Sequence, residues 1–150
     1  MQVKDTMCTE VKTCTPETPV KDIATIMCFN KISGLPVVDE DNNVLGIISE
    51  KDILCSMFPD MQELVESGSK PDFEDMEKDY NSVLGKTVDD LMTRTVATVS
   101  PDMPILRAAS MMWLRKIRRI PVTENNKLVG ILSMGDVHKA VFQESLLVKT

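Results

Sequence analysis

Aromatic residues are scarce in this 150-residue chain: one Trp, one Tyr and four Phe, 4% in all. A core must therefore be assembled from Val, Ile, Leu and Met, of which Met alone supplies 11 residues; such cores pack adaptably. Histidine is nearly absent, with His138 alone, so a Cys–His or Ser–His nucleophilic pair has one possible base. The four Cys (Cys8, Cys14, Cys28, Cys55) form no C-x-x-C pair, which excludes the usual structural zinc pattern. They are also too few for a disulfide-stapled mini-protein. The six glycines are scattered, so neither a P-loop nor a dinucleotide fingerprint is present. No stretch approaches the roughly 18 apolar residues of a membrane helix. The opening MQVKDTMCTE is charged and lacks an apolar run, so no secretory signal is expected there and a reducing cytoplasm is the expected compartment.

Apolar residues at 43% and charged residues at 27% match an ordinary globular chain. The net charge of −6 is unevenly distributed. Residues 59–79 hold eight acids and two bases, whereas residues 80–150 hold six acids and ten bases. An acidic balance argues against general nucleic-acid binding, which needs a basic face. The basic second half leaves room for one small anionic ligand.

The chain is duplicated. Residues 3–41 laid over 88–126, then 43–56 over 127–140 with Asn42 omitted, give 17 identities in 53 positions. They include Met7/Met92, Pro16/Pro101, Pro19/Pro104, Pro36/Pro121, Gly46/Gly130, Ser49/Ser133 and Asp52/Asp136. Three prolines and a Gly-x-x-Ser-x-x-Asp do not fall into register by chance.

Each copy reads as β-α-β-β-α. Thr13–Pro16 and Thr98–Pro101 suit a short strand entering a turn. Pro19 and Pro104 open helices at the first helical position. Apolar residues then recur at helical spacing: Val20, Ile23, Ala24, Met27, and Ile105, Ala108, Ala109, Met112. Leu35–Val38 with Val44–Ile48, and Ile120–Val122 with Leu128–Leu132, read as hairpins. Ser49 and Ser133 stand where an N-cap is expected for the helix that follows. A unit of about 55 residues buries little surface alone, so two copies packed sheet to sheet are expected to share one core. The expected organisation is an α+β, sandwich-like fold: repeat 1 over 1–56, an acidic helical insert over 57–86, and repeat 2 over 87–150. In the insert, Met57, Phe58, Met61, Leu64 and Val65, then Phe73, Met76, Tyr80, Val83 and Leu84, follow helical spacing.

This tandem, with its hydrophobic-Pro-Val strands and its Gly-h-h-Ser-x-x-Asp turns, resembles the CBS domain family, whose working unit is a fused pair called a Bateman module. The resemblance covers roughly 3–56 and 87–141. It implies a regulatory module rather than an enzyme, with no catalytic residues, no metal and no cofactor. The implied ligand is an adenine nucleotide (AMP, ADP or ATP), with S-adenosylmethionine or NAD as alternatives, in a cleft between the repeats. Carried over position by position, Asp52 and Asp136 would accept from ribose hydroxyls, and Ser49 and Ser133 would lie beside ribose or phosphate. A carboxylate has acceptors enough for a vicinal diol, and a helix start favours an anion. Arg118 and Arg119, just before Ile120 and Pro121, would meet phosphate; the first repeat has Ser33 and Gly34 before Leu35 instead. The resemblance therefore implies one stronger site (Ser49, Asp52, Thr98, Pro101, Arg118, Arg119, Ile120, Pro121). A second, weaker one would comprise Thr13, Ser33, Gly34, Leu35, Ser133 and Asp136. Members commonly pair, so a homodimer through Ile53, Leu54, Met57, Val137, Val141 and Phe142 is expected, with an effector protein of unknown identity downstream. No nucleic-acid or membrane partner is expected. The other reading of the same residues is a structural or oligomerisation module with a vestigial cleft.

Overall fold

The computed structural model describes residues 1–58, 65–68, 70 and 72–148. Met61 and Leu64, part of the apolar pattern of the insert, lie outside the described residues. The first repeat forms α1 (Val20–Asn30), the paired strands β1 (Gly34–Val38) and β2 (Val44–Ser49), and α2 (Glu50–Cys55). The insert adds α3 (Phe73–Lys78) and α4 (Tyr80–Leu84), and α5 (Val88–Leu91) opens the second repeat. The second repeat continues with α6 (Ile105–Arg115), the antiparallel pair β3 (Arg119–Glu124) and β4 (Lys127–Ser133), and α7 (Met134–Val148).

The duplication survives in detail. Helices α1 and α6 both start from a proline N-cap, Pro19 and Pro104, one residue earlier than the first helical position. Both end on a left-handed lysine, Lys31 at φ 53° and Lys116 at φ 57°. The strand expected at Thr13–Pro16 and Thr98–Pro101 is one residue long. Cys14 bridges Val37 and Val99 bridges Val122, both parallel. Proline two residues on has no N–H to extend the pairing. The β3–β4 turn is Asn125–Asn126, at φ 51° and 66°, the two positive φ values of a tight hairpin turn.

The compact units do not follow the repeat boundaries. One gathers residues 1–12, 40–44 and the chain from 96 onward; the other gathers 13–39 and 45–95. The opening segment of each repeat folds with the body of the other. The N–H of Val3 donates to Met103 O and that of Lys4 to Pro101 O, both at 2.9 Å. Their counterparts do the same: Val88 to Thr18 O at 2.9 Å and Asp89 to Pro16 O at 2.8 Å. Matching acids hold these openings: Asp5 accepts from Gln2 N at 2.7 Å and Asp90 from Thr87 N at 3.0 Å. Val3 is fully buried in a cluster with Ile105, Met112, Ile120 and Leu132. Val88 is fully buried with Ile23, Leu35, Val37 and Ile48, a cluster that also takes in Val83 of the insert.

The first hairpin loop is also tied into the unit of the second repeat. Asn42, the residue without a counterpart there, sits at φ 66° and its Nδ2 donates to Leu128 O at 2.9 Å. Lys127 Nζ donates to Asp41 O at 2.7 Å, and Val44 N to Asn126 O at 3.0 Å.

Of the apolar residues expected at a dimer face, Ile53 and Val137 belong to the cores and Met57 packs against one. Helices α2 and α7 turn Ile53 and Val137 inward. Leu54, Val141 and Phe142 are exposed. Among the described residues no helix is long and apolar enough to cross a membrane.

Candidate functional site

In the unit built on the second repeat, α6 closes on the left-handed Lys116, which turns the chain sharply toward β3. Ile117 N donates to Met112 O at 3.0 Å. The next carbonyl, that of Arg118, accepts from Met134 N at 2.8 Å, so the entry to β3 is tied to the start of α7. Arg119 is then the register partner of Ser133 at the open end of the hairpin. Two guanidinium groups, a lysine and a serine hydroxyl are thus gathered beside the N-terminus of a 15-residue helix. Such a terminus favours negative charge.

These residues line a hollow of about 870 Å³, together with Met112, Trp113, Ile117, Met134 and Gly135. That is space enough for a small-molecule ligand. Trp113, the sole tryptophan, is 75% exposed, leaving an aromatic face available. Among the described residues, Lys116, Arg118 and Arg119 make no ion pair; the acids that do pair are Asp75, Asp89 and Asp102, with other cations. The cations at the hollow are therefore free to meet an anion.

The expected site residues divide between the units. Thr98, Pro101, Arg118, Arg119, Ile120, Pro121, Ser133 and Asp136 fall in this one; Thr13, Ser33, Gly34, Leu35, Ser49 and Asp52 fall in the other. Arg118, Arg119 and Ser133 line the hollow, and Asp136 follows directly after the lining residue Gly135. Ile120 and Leu35 are fully buried core residues, and Pro101 is buried. They belong to the packed interior of their own units. His138 is exposed on α7. Trp113 and Lys116 were not anticipated. An isolated Trp on the polar face of an amphipathic helix was the available signal for the first. The left-handed lysine could not be read from sequence.

The Ser-x-x-Asp segments differ. In the first repeat Ser49 caps α2 by accepting from Asp52 N at 3.2 Å. Asp52 Oδ2 in turn accepts from Ser49 N at 2.9 Å and from Ser49 Oγ at 3.1 Å. Thr93 Oγ1 donates to the other oxygen, Asp52 Oδ1, at 3.1 Å. In the second repeat Ser133 Oγ accepts from Asp136 N at 3.0 Å, but the Asp136 carboxylate accepts no hydrogen bond among the described residues. Elsewhere, burial pushes the Cys14 thiol up from 9.0 to about 12. Its Sγ donates to Pro36 O at 3.7 Å.

A duplicated α+β unit with these turns defines a CBS pair, and comparison with known proteins agrees. The CBS domain family model matches residues 3–58 and 88–143, and the chain belongs to that family. It is 35% identical over 133 residues to the uncharacterized protein MJ1426 of Methanocaldococcus jannaschii, covering 80% of this chain and 79% of that protein. It is 33% identical over 141 residues to the chloroplastic CBS domain-containing protein CBSX2 of Arabidopsis thaliana, covering 85% of this chain and 57% of that one. The chain thus spans little more than half of the plant relative. A crystal structure of CBSX2 in complex with AMP superposes with a TM-score of 0.75 at 29% identity, covering 96% of this chain and 98% of that one.

Proposed function

We propose that this chain is a ligand-sensing module that binds an adenine nucleotide, and that the hollow of the second repeat holds the phosphate end. The observation that carries this is Arg119 standing opposite Ser133, with Lys116 and Arg118 unpaired beside the start of α7. Guanidinium forks match phosphate oxygens, and the helix terminus adds amide donors. Trp113 offers a face on which a base can stack. The AMP complex of CBSX2 supports the same ligand class. The reading is of a binder without chemistry of its own, whose output passes through self-association or an effector protein. The exposed Leu54, Val141 and Phe142 are available for the first of these.

Titration with AMP, ADP, ATP and adenosine tests this. Binding to the native state raises the unfolding midpoint as ligand exceeds Kd, and the single Trp at the hollow should report it by a fluorescence change. A nucleotide that shifts both signals more than adenosine supports the reading. No shift with any of the four, at millimolar concentration, overturns it in favour of a purely structural module.

A further inference from the structure

The chain treats its two Ser-x-x-Asp segments differently: Ser49 and Thr93 both donate to the Asp52 carboxylate, whereas neither Ser133 nor Cys8, their counterparts, donates to that of Asp136 among the described residues. A carboxylate offers about four lone-pair positions. Asp52 uses three, two on Oδ2 for Ser49 and one on Oδ1 for Thr93. A vicinal diol that places one hydroxyl on each oxygen must displace a Ser49 donor from Oδ2 and compete with the Thr93 hydroxyl at Oδ1. That hydroxyl is held in place by its own backbone. Thr93 N donates to Ile47 O at 2.8 Å, and Ile47 N to Thr93 O at 3.0 Å.

The same backbone pairing recurs in the other unit. Cys8 N donates to Ile131 O, and Ile131 N to Cys8 O, both at 2.9 Å. Position 8 therefore has the relation to β4 that position 93 has to β2. A thiol is a weak donor, and Cys8 Sγ is directed instead to Glu10 O at 3.6 Å. Asp136 is left with both oxygens unengaged among the described residues.

We infer that Thr93, together with Ser49, latches the first repeat's carboxylate against a ribose diol, and that Cys8, by withholding a hydroxyl, leaves that of Asp136 open, so that each chain takes one nucleotide. This rests on the nucleotide-binding reading above. It makes the residue type at position 8 a determinant of affinity that contributes no contact of its own.

Calorimetric titration of the full chain with AMP tests it, using wild type, Cys8→Thr and Cys8→Val. Wild type should bind one equivalent. Cys8→Thr should build the latch onto Asp136 and weaken binding on the order of tenfold. Cys8→Val, of the same branched shape without the hydroxyl, should stay within about twofold of wild type. Two equivalents in wild type, or equal affinities for the Thr and Val variants, would overturn the latch while leaving the nucleotide reading intact. No binding of AMP by wild type would remove the nucleotide reading, and the latch with it.

Discussion

Gly130 lies against the backbone of Cys8: a Cβ added to the glycine would stand 2.9 Å from the Cys8 carbonyl oxygen and 2.8 Å from Met7 Sδ. Gly46 is in the same position against Thr93 and Met92, with the Met92 methyl 2.5 Å from such a Cβ. The glycine and the methionine of each repeat are thus one contact, with the methionine supplied by the opposite repeat's opening segment. Flexible methionine can move aside, but the carbonyls are fixed in the Cys8–Ile131 and Thr93–Ile47 pairings. Gly130→Ala and Gly46→Ala should each cost about 1–3 kcal/mol through overpacking. At about 2–4 °C per kcal/mol for a chain of this size, thermal unfolding should show a fall of several degrees. Wild-type midpoints for both would contradict the close approach.

The exchange of opening segments makes each repeat depend on the other. Residues 1–58 alone would leave Val3 without its cluster and would strip Val88 and Val83 from the core around Ile23 and Leu35. Expressed separately, 1–58 and 84–150 should give poorly dispersed amide spectra. Two well-dispersed spectra from the separated halves would show that the exchange is dispensable.

Cys14 gives a pH test. Folded, its thiol stays protonated up to about 12; unfolded, it ionises near its ordinary 9.0. Between these values the unfolded state holds fewer protons, so the contribution of this group is complete below pH 9 and is lost as pH rises toward 12. Cys14→Ala removes the titration along with some packing. Its stability deficit, measured by urea unfolding, should therefore be largest at pH 7 to 8 and narrow by pH 10.5. A deficit constant over that range would mean the thiol ionises alike in both states. Alkylation gives a second view: Cys8, Cys28 and Cys55, all exposed, should react at pH 8 while Cys14 stays protected.

Much of this fold was legible because the duplication doubled every signal. The helical stripes, the hairpins and the Ser49 cap stand where periodicity and turn residues placed them. The opening-segment exchange was hidden, since nothing in the pattern around Val3 or Val88 says which core each valine enters. Asn42 was visible only as an alignment gap; its role, donating to Leu128 O, is a contact across 86 residues. Candidate site residues could be named from the sequence, but the hydrogen bonds among them could not. Asp52 and Asp136 share the same Gly-x-x-Ser-x-x-Asp spacing, and what separates them is which neighbours donate to the carboxylate: Ser49 and Thr93 to Asp52, neither Ser133 nor Cys8 to Asp136 among the described residues. The carboxylate favoured from sequence, Asp52, is the engaged one.

Asp136 and Arg119 should therefore fail in different ways when altered. If Asp136 accepts the ribose hydroxyls, Asp136→Asn should weaken AMP, ATP and adenosine alike, because all three carry the ribose. Loss of a charge-assisted contact costs about 1.5–3 kcal/mol, or roughly 10- to 150-fold in affinity. Arg119→Ala should weaken AMP and ATP by a similar factor and leave adenosine within about twofold. It should also flatten the salt dependence of nucleotide binding, since a screened ionic contact is gone. Asp52→Asn keeps an acceptor oxygen for its cap and should lower the melting temperature with little effect on affinity. Calorimetry on the three variants with AMP and adenosine separates these patterns. Equal losses of AMP and adenosine in Arg119→Ala would move the phosphate away from Arg119. A large loss in Asp52→Asn, with none in Asp136→Asn, would place the ribose on the first repeat's carboxylate.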